Sequence, residues 1–529
     1  MKVEISKKHS MQNKNSTNNT QPSFGGPLDG ALTQALITID TNSMVNAALV
    51  DVFAMVIPRT YIDTKERNEY AGAETLFREL TGTFIACLSA GYIAKGIANL
   101  YNQFVEPETK INPKSWLIND SLNLLKHSWD KSGNNVEKYV SNVFFNASGI
   151  ENKKTFAWQD INWGNIEWAD SPKWGNINWK NAAYKNIQNN LKSEKQIITT
   201  LSKIIEDKNI HADDAKQILG IIEHRITNAF KIDNSVNIKL DEKTLNSSLK
   251  NIIRDVYDMG KDVFTNNSIN IDSAFKKLQK MNKVKTLGAL AIASTLGLTN
   301  QYINRIITKK RTGTSAFVGE INYNKIKDEK QETSFKSQKE KNNGAKLLGL
   351  KLLASAGIIA LAAGVMKIKS PKDFVKKLEF SGPITSGNAI KTVYTSLLVG
   401  RFLASQNQTE LRESTTRDYL GFMNWLVLGG FASKGVAQLL DKKQDSLFNV
   451  NKAGAGLKHW LNDISLKSHA EIASKGTEFA KKNVWKLNLA HAAGLLYSTL
   501  ALGFLIPLLN IAVTKSQHKK NSSKIADKN

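Results

Sequence analysis

Ten charged residues stand out because similar types recur at similar spacing in two distant stretches of the chain. The first set is Arg59, Glu74, Arg78, Glu79 and Lys95, and the second is Arg401, Glu413, Arg417, Asp418 and Lys434. Glutamate and arginine four residues apart, as in Glu74 and Arg78, share one helix face. We interpret the two sets as an ion-pair network that fixes helix pairs. The alternative is a cavity where the two lysines, on glycine-rich faces, bind an anionic ligand.

Other patterns that carry catalysis are missing from this sequence. The chain has one cysteine, Cys87, so zinc-type cysteine pairs and an intrachain disulfide are excluded. Its 8 histidines include no HExxH motif. The stretch 382–392 imitates a phosphate-binding loop, but Asn388 stands where that loop requires lysine. We therefore expect no enzymatic activity, no metal site and no cofactor.

The charged sets belong to a longer internal similarity. Residues 74–100 align without gaps with 413–439, and each stretch carries a Gly-x-x-x-Lys-Gly-x-Ala pattern. Further pairs follow in the same order: 46–59 with 388–401, 114–122 with 458–466, and 296–309 with 502–515. Chance similarity among helices rich in small residues is the alternative explanation. The pattern predicts an all-α fold with two duplicated three-helix units related by pseudo-symmetry, a central apolar helix and an inserted soluble helical module.

The chain is expected to consist of eight parts. These are a disordered polar tail (1–43), the first part of repeat 1 (44–125), a hydrophilic helical insertion (126–280), the last helix of repeat 1 (281–311), a basic linker (312–345), a central apolar helix with its connector (346–385), repeat 2 (386–517) and a basic tail, also expected to be disordered (518–529).

Several apolar segments suggest membrane association. Residues 487–514 carry no formal charge over a length that exceeds the roughly 20 residues needed to cross a bilayer. Weaker candidates are interrupted by a charge or end in polar residues; they are 80–100, 286–304, 347–366 and 419–440. Buried helices of a soluble bundle are the alternative for all of them. With a composition rich in Lys, Asn and Ile, the chain is expected in a bacterial cell membrane, or otherwise in the cytoplasm.

The net charge of +25 favours anionic partners. Acidic lipid headgroups are the partners expected first. A homo-oligomer is a further possible assembly. Nucleic acid is a weaker expectation because the lysines are scattered and no nucleic-acid motif is present. The predicted function is that of a membrane-associated structural or scaffolding protein. The alternatives are a transporter-like protein with a cavity between pseudo-symmetric halves, and a soluble basic protein that binds nucleic acid.

A tryptophan-rich stretch, 158–184, lies within the insertion. Its tryptophans recur at steps of five or six residues: Trp158, Trp163, Trp168, Trp174 and Trp179. Rings that bury one another in turns are the first interpretation, and anchoring at the membrane interface, where indole prefers the headgroup zone, is the second. A short β-helical repeat and a ligand platform are the remaining alternatives.

Overall fold

The computed structural model describes residues 33, 35–36, 47–104, 117–151, 154–157, 179–184, 187, 191–230, 237–240, 243–313, 344–380, 387–450, 454, 456–474 and 477–526. The basic linker other than 312–313 and 344–345, most of the polar tail, and Trp158, Trp163, Trp168 and Trp174 lie outside these residues.

Helices dominate the described chain, which confirms the expected all-α class. They are α1 (Val50–Val56 and Ile57–Glu66), α2 (Glu69–Thr83, Phe84–Ser89 and Ala90–Gln103), α3 (Asn119–Asp130), α4 (Val136–Asn146), α5 (Glu194–Glu206), α6 (Ala212–Phe230), α7 (Leu249–Met259 and Gly260–Phe264), α8 (Ile271–Thr312), α9 (Gly344–Val365), α10 (Pro371–Leu378), α11 (Gly387–Ala404), α12 (Gln408–Met423, Asn424–Leu428 and Gly429–Leu440), α13 (Leu457–Asp463), α14 (His469–Ser474) and α15 (Thr477–Ser498, Thr499–Leu505 and Ile506–Ala526).

Helices α3 to α7 form the hydrophilic module, and they surround a core of aliphatic and aromatic side chains. At its centre the ring of Trp129 stacks on Phe264 at 4.8 Å, and Tyr139 meets Phe264 edge-on at 5.1 Å. Trp179 is half-buried and packs against this core. At this one described position of the tryptophan series, the ring therefore contributes to the packing of the module.

The module also holds a small antiparallel sheet that the sequence analysis did not predict. Its strand order is β2-β1-β3-β4. The strands are β1 (Ala147–Glu151), β2 (Lys154–Ala157), β3 (Asn237–Leu240) and β4 (Lys243–Ser248), and a separate pair consists of β5 (Phe448–Val450) and β6 (Ile464–Leu466). These strands are short and mostly polar, so they lack the alternation of apolar and polar residues that identifies a strand in sequence.

The other long helices form a bundle in which glycines allow close approach between them. Helix α8 lies along α11, and α15 lies along α1. A Cβ atom at Gly297 of α8 would stand 3.2 Å from the backbone nitrogen of Leu397 in α11. A Cβ atom at Gly503 of α15 would stand 2.6 Å from the carbonyl oxygen of Ala54 in α1. Small residues thus set these crossings, as close backbone packing requires.

The bundle has buried apolar clusters, but two of its helices also bury charged or polar residues and expose large apolar residues beside them. In α2, Arg78 and Glu79 are 5% and 2% exposed, whereas the neighbouring Leu80 and Phe84 are 44% and 58% exposed. Helix α15 also buries a polar residue beside an exposed apolar one: Asn510 is 5% exposed and Leu509 is 60% exposed. An amphipathic helix of a water-soluble protein has the opposite polarity.

Three described helical stretches are long and apolar enough to cross a membrane. They are Glu69–Gln103, Gly344–Val365 and Glu478–Ser516. They include the three apolar segments expected at 80–100, 347–366 and 487–514. Only 17% of the apolar window of α9 is buried within the described chain.

Two sequence expectations look different in the structure. The described part of the first similar stretch, 117–122, differs from its counterpart 461–466, since a helix begins at Asn119 whereas 464–466 is a strand. The basic tail, expected to be disordered from residue 518, continues α15 as helix to Ala526.

Replacing Gly400 by alanine tests the close packing of α8 on α11. The new Cβ would lie 2.8 Å from the Cα atom of Leu298, a backbone atom that cannot rotate away. We expect the free energy of unfolding to fall by about 1–3 kcal/mol, as for other overpacked sites. Thermal unfolding followed by circular dichroism measures the change. Gly435→Ala is the matched control because, within the described residues, no atom other than those of its own helix backbone lies within 4 Å of its Cβ position; equal stability of both variants would contradict the packing.

The pH dependence of the module provides a second test. Burial raises the pKa of the Asp255 carboxyl well above its ordinary value, and Asp258 adds to the rise. The folded chain therefore keeps a proton that the unfolded chain releases above about pH 3.9, so this group lowers stability as pH rises toward its folded pKa. We expect Asp255→Asn to weaken the loss of stability between about pH 5 and pH 8.

Exposed Asp213, whose side chain is 67% accessible, supplies the control substitution Asp213→Asn. A loss of stability in Asp255→Asn at high pH would show instead that Asp255 is charged and paired with Lys285.

Candidate functional site

The carboxylate of Glu79 lies at the centre of a buried ionic network inside the bundle. Arg401 Nη2 is 3.0 Å from Glu79 Oε2, and Arg78 Nη2 is 3.2 Å from Glu79 Oε1. Arg59 Nη1 approaches Glu79 Oε1 at 3.6 Å. These four side chains are at most 6% exposed, so water screens them little.

Arg401 extends the network to a second carboxylate. Its Nη1 atom donates to Asp418 Oδ1 at 3.2 Å, and Arg417 Nε donates to the same oxygen at 3.0 Å. Arg401 thus bridges Glu79 of α2 and Asp418 of α12. Because α2 and α12 belong to the two similar stretches of sequence, this bridge joins one stretch to the other.

The two similar stretches of sequence make matching contacts in the network. The guanidinium of Arg401 lies beside Gly82, whose Cβ position is 3.8 Å from Arg401 Nη2. Arg59 lies in the same way beside Gly421, at 3.4 Å. Each arginine therefore packs beside a glycine that belongs to the other of the two similar stretches.

Aligned residues outside the centre also make the same contacts. Asn304 Nδ2 donates to the carbonyl oxygen of Glu74 at 3.3 Å, and Asn510 Nδ2 donates to that of Glu413 at 2.9 Å. Thr308 Oγ1 donates to the Glu74 carboxylate at 3.4 Å, while its aligned residue, Thr514, donates to that of Glu413 at 3.1 Å. The start of each second helix matches too, since Asn68 and Asn407 cap α2 and α12.

One pair of residues breaks the match. Thr83 Oγ1 donates to Asp51 Oδ2, and both side chains are buried. The aligned residues are Val393 and Phe422, which cannot form such a hydrogen bond. Asp51 therefore adds a carboxyl group on one side of a cluster that is otherwise rich in arginine.

An outer set of ion pairs extends the network beyond the residues that the sequence identified. Arg67 pairs with Glu413 and, through Nε at 3.2 Å, with Asp63. Arg305 pairs with Glu410. Sequence comparison missed Arg67, Arg305 and Glu410 because they have no charged counterpart of the same kind in the aligned stretch. The charge of Asp51 within an apolar run was the signal that could have identified that residue.

The two lysines of the charged sets do not meet. Lys95 is exposed, whereas Lys434 is buried and donates to the carbonyl oxygen of Trp460. The Lys434 ammonium also lies 4.3 Å from the centre of the Trp460 ring, which stabilises a cation. The structure thus brings six of the other charged residues into one network, places Glu74 and Glu413 outside its centre, and separates Lys95 from Lys434.

This arrangement can hold helices together more readily than it can catalyse a reaction. The arginines and carboxylates are paired with one another and buried. Among the described residues, no group of three His, Cys, Asp or Glu side chains is placed to hold a metal ion. Compared with known protein families, curated proteins and solved structures, the chain matches none.

Replacing Glu79 by glutamine tests the network. The substitution leaves buried arginines without their shared anion, and loss of one partner in a buried pair costs about 3–5 kcal/mol. We expect a matching fall in the free energy of unfolding, measured by thermal or chemical unfolding of the purified chain. The combined Glu79→Gln and Arg401→Met variant should lose less than the sum of the two single losses.

Lys515→Gln is the control, because the 2.9 Å pair of Lys515 with Glu66 is exposed. Exposed pairs contribute about 0–1 kcal/mol. A Glu79→Gln variant no less stable than Lys515→Gln would contradict the role of the network.

Proposed function

We propose that this chain is an integral membrane protein of structural or scaffolding type, which holds its hydrophilic module at the surface of a bacterial cell membrane. The observation that carries the proposal is the exposure of large apolar side chains at the level of buried ion pairs. Leu76, Leu80 and Phe84 form an exposed apolar face on α2 at the level of the buried Arg78 and Glu79. A hydrocarbon environment accounts for both faces, since it favours the apolar one and requires the buried charges to be paired.

Helix α9 supports the same location. Its mean hydropathy over the apolar window is 2.0, and it leaves Leu348, Leu352 and Leu353 exposed at 54%, 55% and 70%. Soluble monomers rarely expose apolar surface on this scale. Acidic lipids are the proposed partners of the basic linker, which lies outside the described residues.

We further propose that the bundle arose by duplication of a three-helix unit: α1, α2 and α8 in one half, and α11, α12 and α15 in the other. The aligned pairs Glu74 with Asn304 and Glu413 with Asn510 support it, because chance similarity of sequence does not predict repeated contacts. Gly297 and Gly503 support it as well, since each packs against the aligned residue of the other half, Ser396 or Ala54.

A transporter-like function is the second candidate. The ionic network favours it, because Arg401 lies where the two proposed halves meet, and polar groups inside a membrane bundle mark pathways in many transporters. In a scaffolding protein the ion pairs of the network remain formed. In a transporter the same ion pairs must break during transport.

Labelling of single cysteines tests the membrane location. Cys87 is buried and is replaced by alanine, and Leu353→Cys is then introduced on α9. We expect a water-soluble maleimide to label this cysteine slowly in intact membranes, because lipid covers it, although 70% of the Leu353 side chain is exposed. Labelling is measured by mass spectrometry.

Lys203→Cys, on an exposed position of α5 in the module, is the matched control and should react quickly in opened membranes. Rapid labelling at both positions, together with release of the chain by carbonate, would contradict membrane insertion. In that case a salt-sensitive shift on DNA would favour the nucleic-acid alternative.

A further inference from the structure

A cavity of about 500 Å³ lies beside the ionic network but does not include it. It is partly open, and most of its lining residues come from α1, α11, α12 and α15. Its lining includes two lysines, Lys391 and Lys434, and small residues that leave space between the helices, such as Gly429, Gly430 and Ser433. The volume is within the range of small-molecule sites.

The two lysines give the cavity its positive charge. The ammonium of Lys434 is held by the carbonyl oxygen and ring of Trp460. Lys391 Nζ makes a long contact of 3.5 Å to Asn388 Oδ1. Within the part of the chain that the structure describes, no carboxylate lies within 4.0 Å of either ammonium. These contacts position the charges but do not neutralise them.

The remaining walls are mainly apolar. Leu36, Val50, Ile390 and Leu495 line the cavity together with the ring of Trp425. A ligand that fills this space therefore meets apolar side chains and an aromatic ring, together with the polar side chains of Ser433, His491 and Ser498. An uncompensated positive charge in such surroundings is costly, and an anion that pairs with it removes the cost.

Only one of the similar stretches carries this combination. The residue aligned with Lys391 is Leu49, and the residue aligned with Lys434 is the exposed Lys95. The combination of two lysines in one cavity is thus a feature of the second stretch, and the internal similarity does not explain it.

We propose that this cavity binds an anionic amphiphile. Its phosphate or carboxylate pairs with Lys391 and Lys434, and its apolar part lies against Ile390, Leu495 and Trp425. Membrane phospholipids and soluble alkyl phosphates share this chemistry. The proposal depends on the proposed function only for the source of the ligand, since the cavity and its charges are independent of where the chain resides.

Binding is tested on the full chain, purified in detergent and stripped of lipid. The two probes are phosphatidylglycerol with brominated acyl chains and hexyl phosphate. Bromine quenches tryptophan fluorescence at contact, so brominated lipid should quench the fluorescence of Trp425. The variant Trp425→Phe should lose the part of the quenching that saturates with lipid concentration. Hexyl phosphate is followed by the shift that it causes in the unfolding temperature.

We expect Lys391→Met combined with Lys434→Met to weaken binding of the preferred probe about ten- to a hundredfold, because hydrogen bonds to a charged group contribute about 1.5–3 kcal/mol. Lys95→Met is the matched control and should bind as the parent chain does. Saturable binding of the lipid alone identifies a membrane ligand, and binding of hexyl phosphate identifies a soluble one.

Gly430→Leu is a second variant for the case in which the double variant does not fold. A Cβ atom at Gly430 meets no atom within 4 Å, so the larger side chain narrows the cavity and leaves both lysines in place. The proposal is overturned if neither probe binds saturably, or if Gly430→Leu and the lysine variant both bind as the parent chain does. A chain that fails the membrane-labelling test but binds hexyl phosphate would refute the membrane location and retain the cavity.

Discussion

The bidentate bridge from Arg401 to Glu79 and Asp418 is the interaction on which the rest of the bundle depends. It joins α2 to α12 at a depth where all three side chains are at most 3% exposed. Burying charges is favourable only when each has a well-placed partner. The positions of α1 and α11, which supply Arg59 and Arg401, are therefore constrained by the carboxylates that their guanidinium groups must reach.

Close helix crossings follow from the same constraint. Guanidinium groups can reach across the bundle only if the helix backbones approach closely, and residues such as Gly82 and Gly421 leave room for the arginines beside them. Around these buried ion pairs the helices expose Leu80 and Leu509, among other apolar side chains. We attribute the combination of buried ion pairs and exposed apolar side chains to a membrane environment.

Much of this arrangement could be predicted from the sequence, because helix type and aligned charges are local properties. Uncharged runs indicated the helices. The similar spacing of charged residues in two stretches identified Arg59, Glu79, Arg401 and Asp418 as candidates. Which residues meet across the bundle depends on packing between distant segments. For that reason Lys95 and Lys434, aligned in sequence, have different surroundings, and Arg67 and Arg305 joined the network without any signal. The sheet of the module was missed because its pairing joins strands that are individually short and polar.

The central claim is that apolar side chains beside the buried charges face lipid. A nitroxide label at Leu80, next to Glu79 in sequence and 44% exposed, measures this directly in reconstituted membranes. The account predicts that oxygen, which concentrates in hydrocarbon, collides with the label more often than a water-soluble nickel chelate does. A label that the nickel chelate reaches more readily than oxygen would show that this face of the bundle lies in water, and would contradict the account.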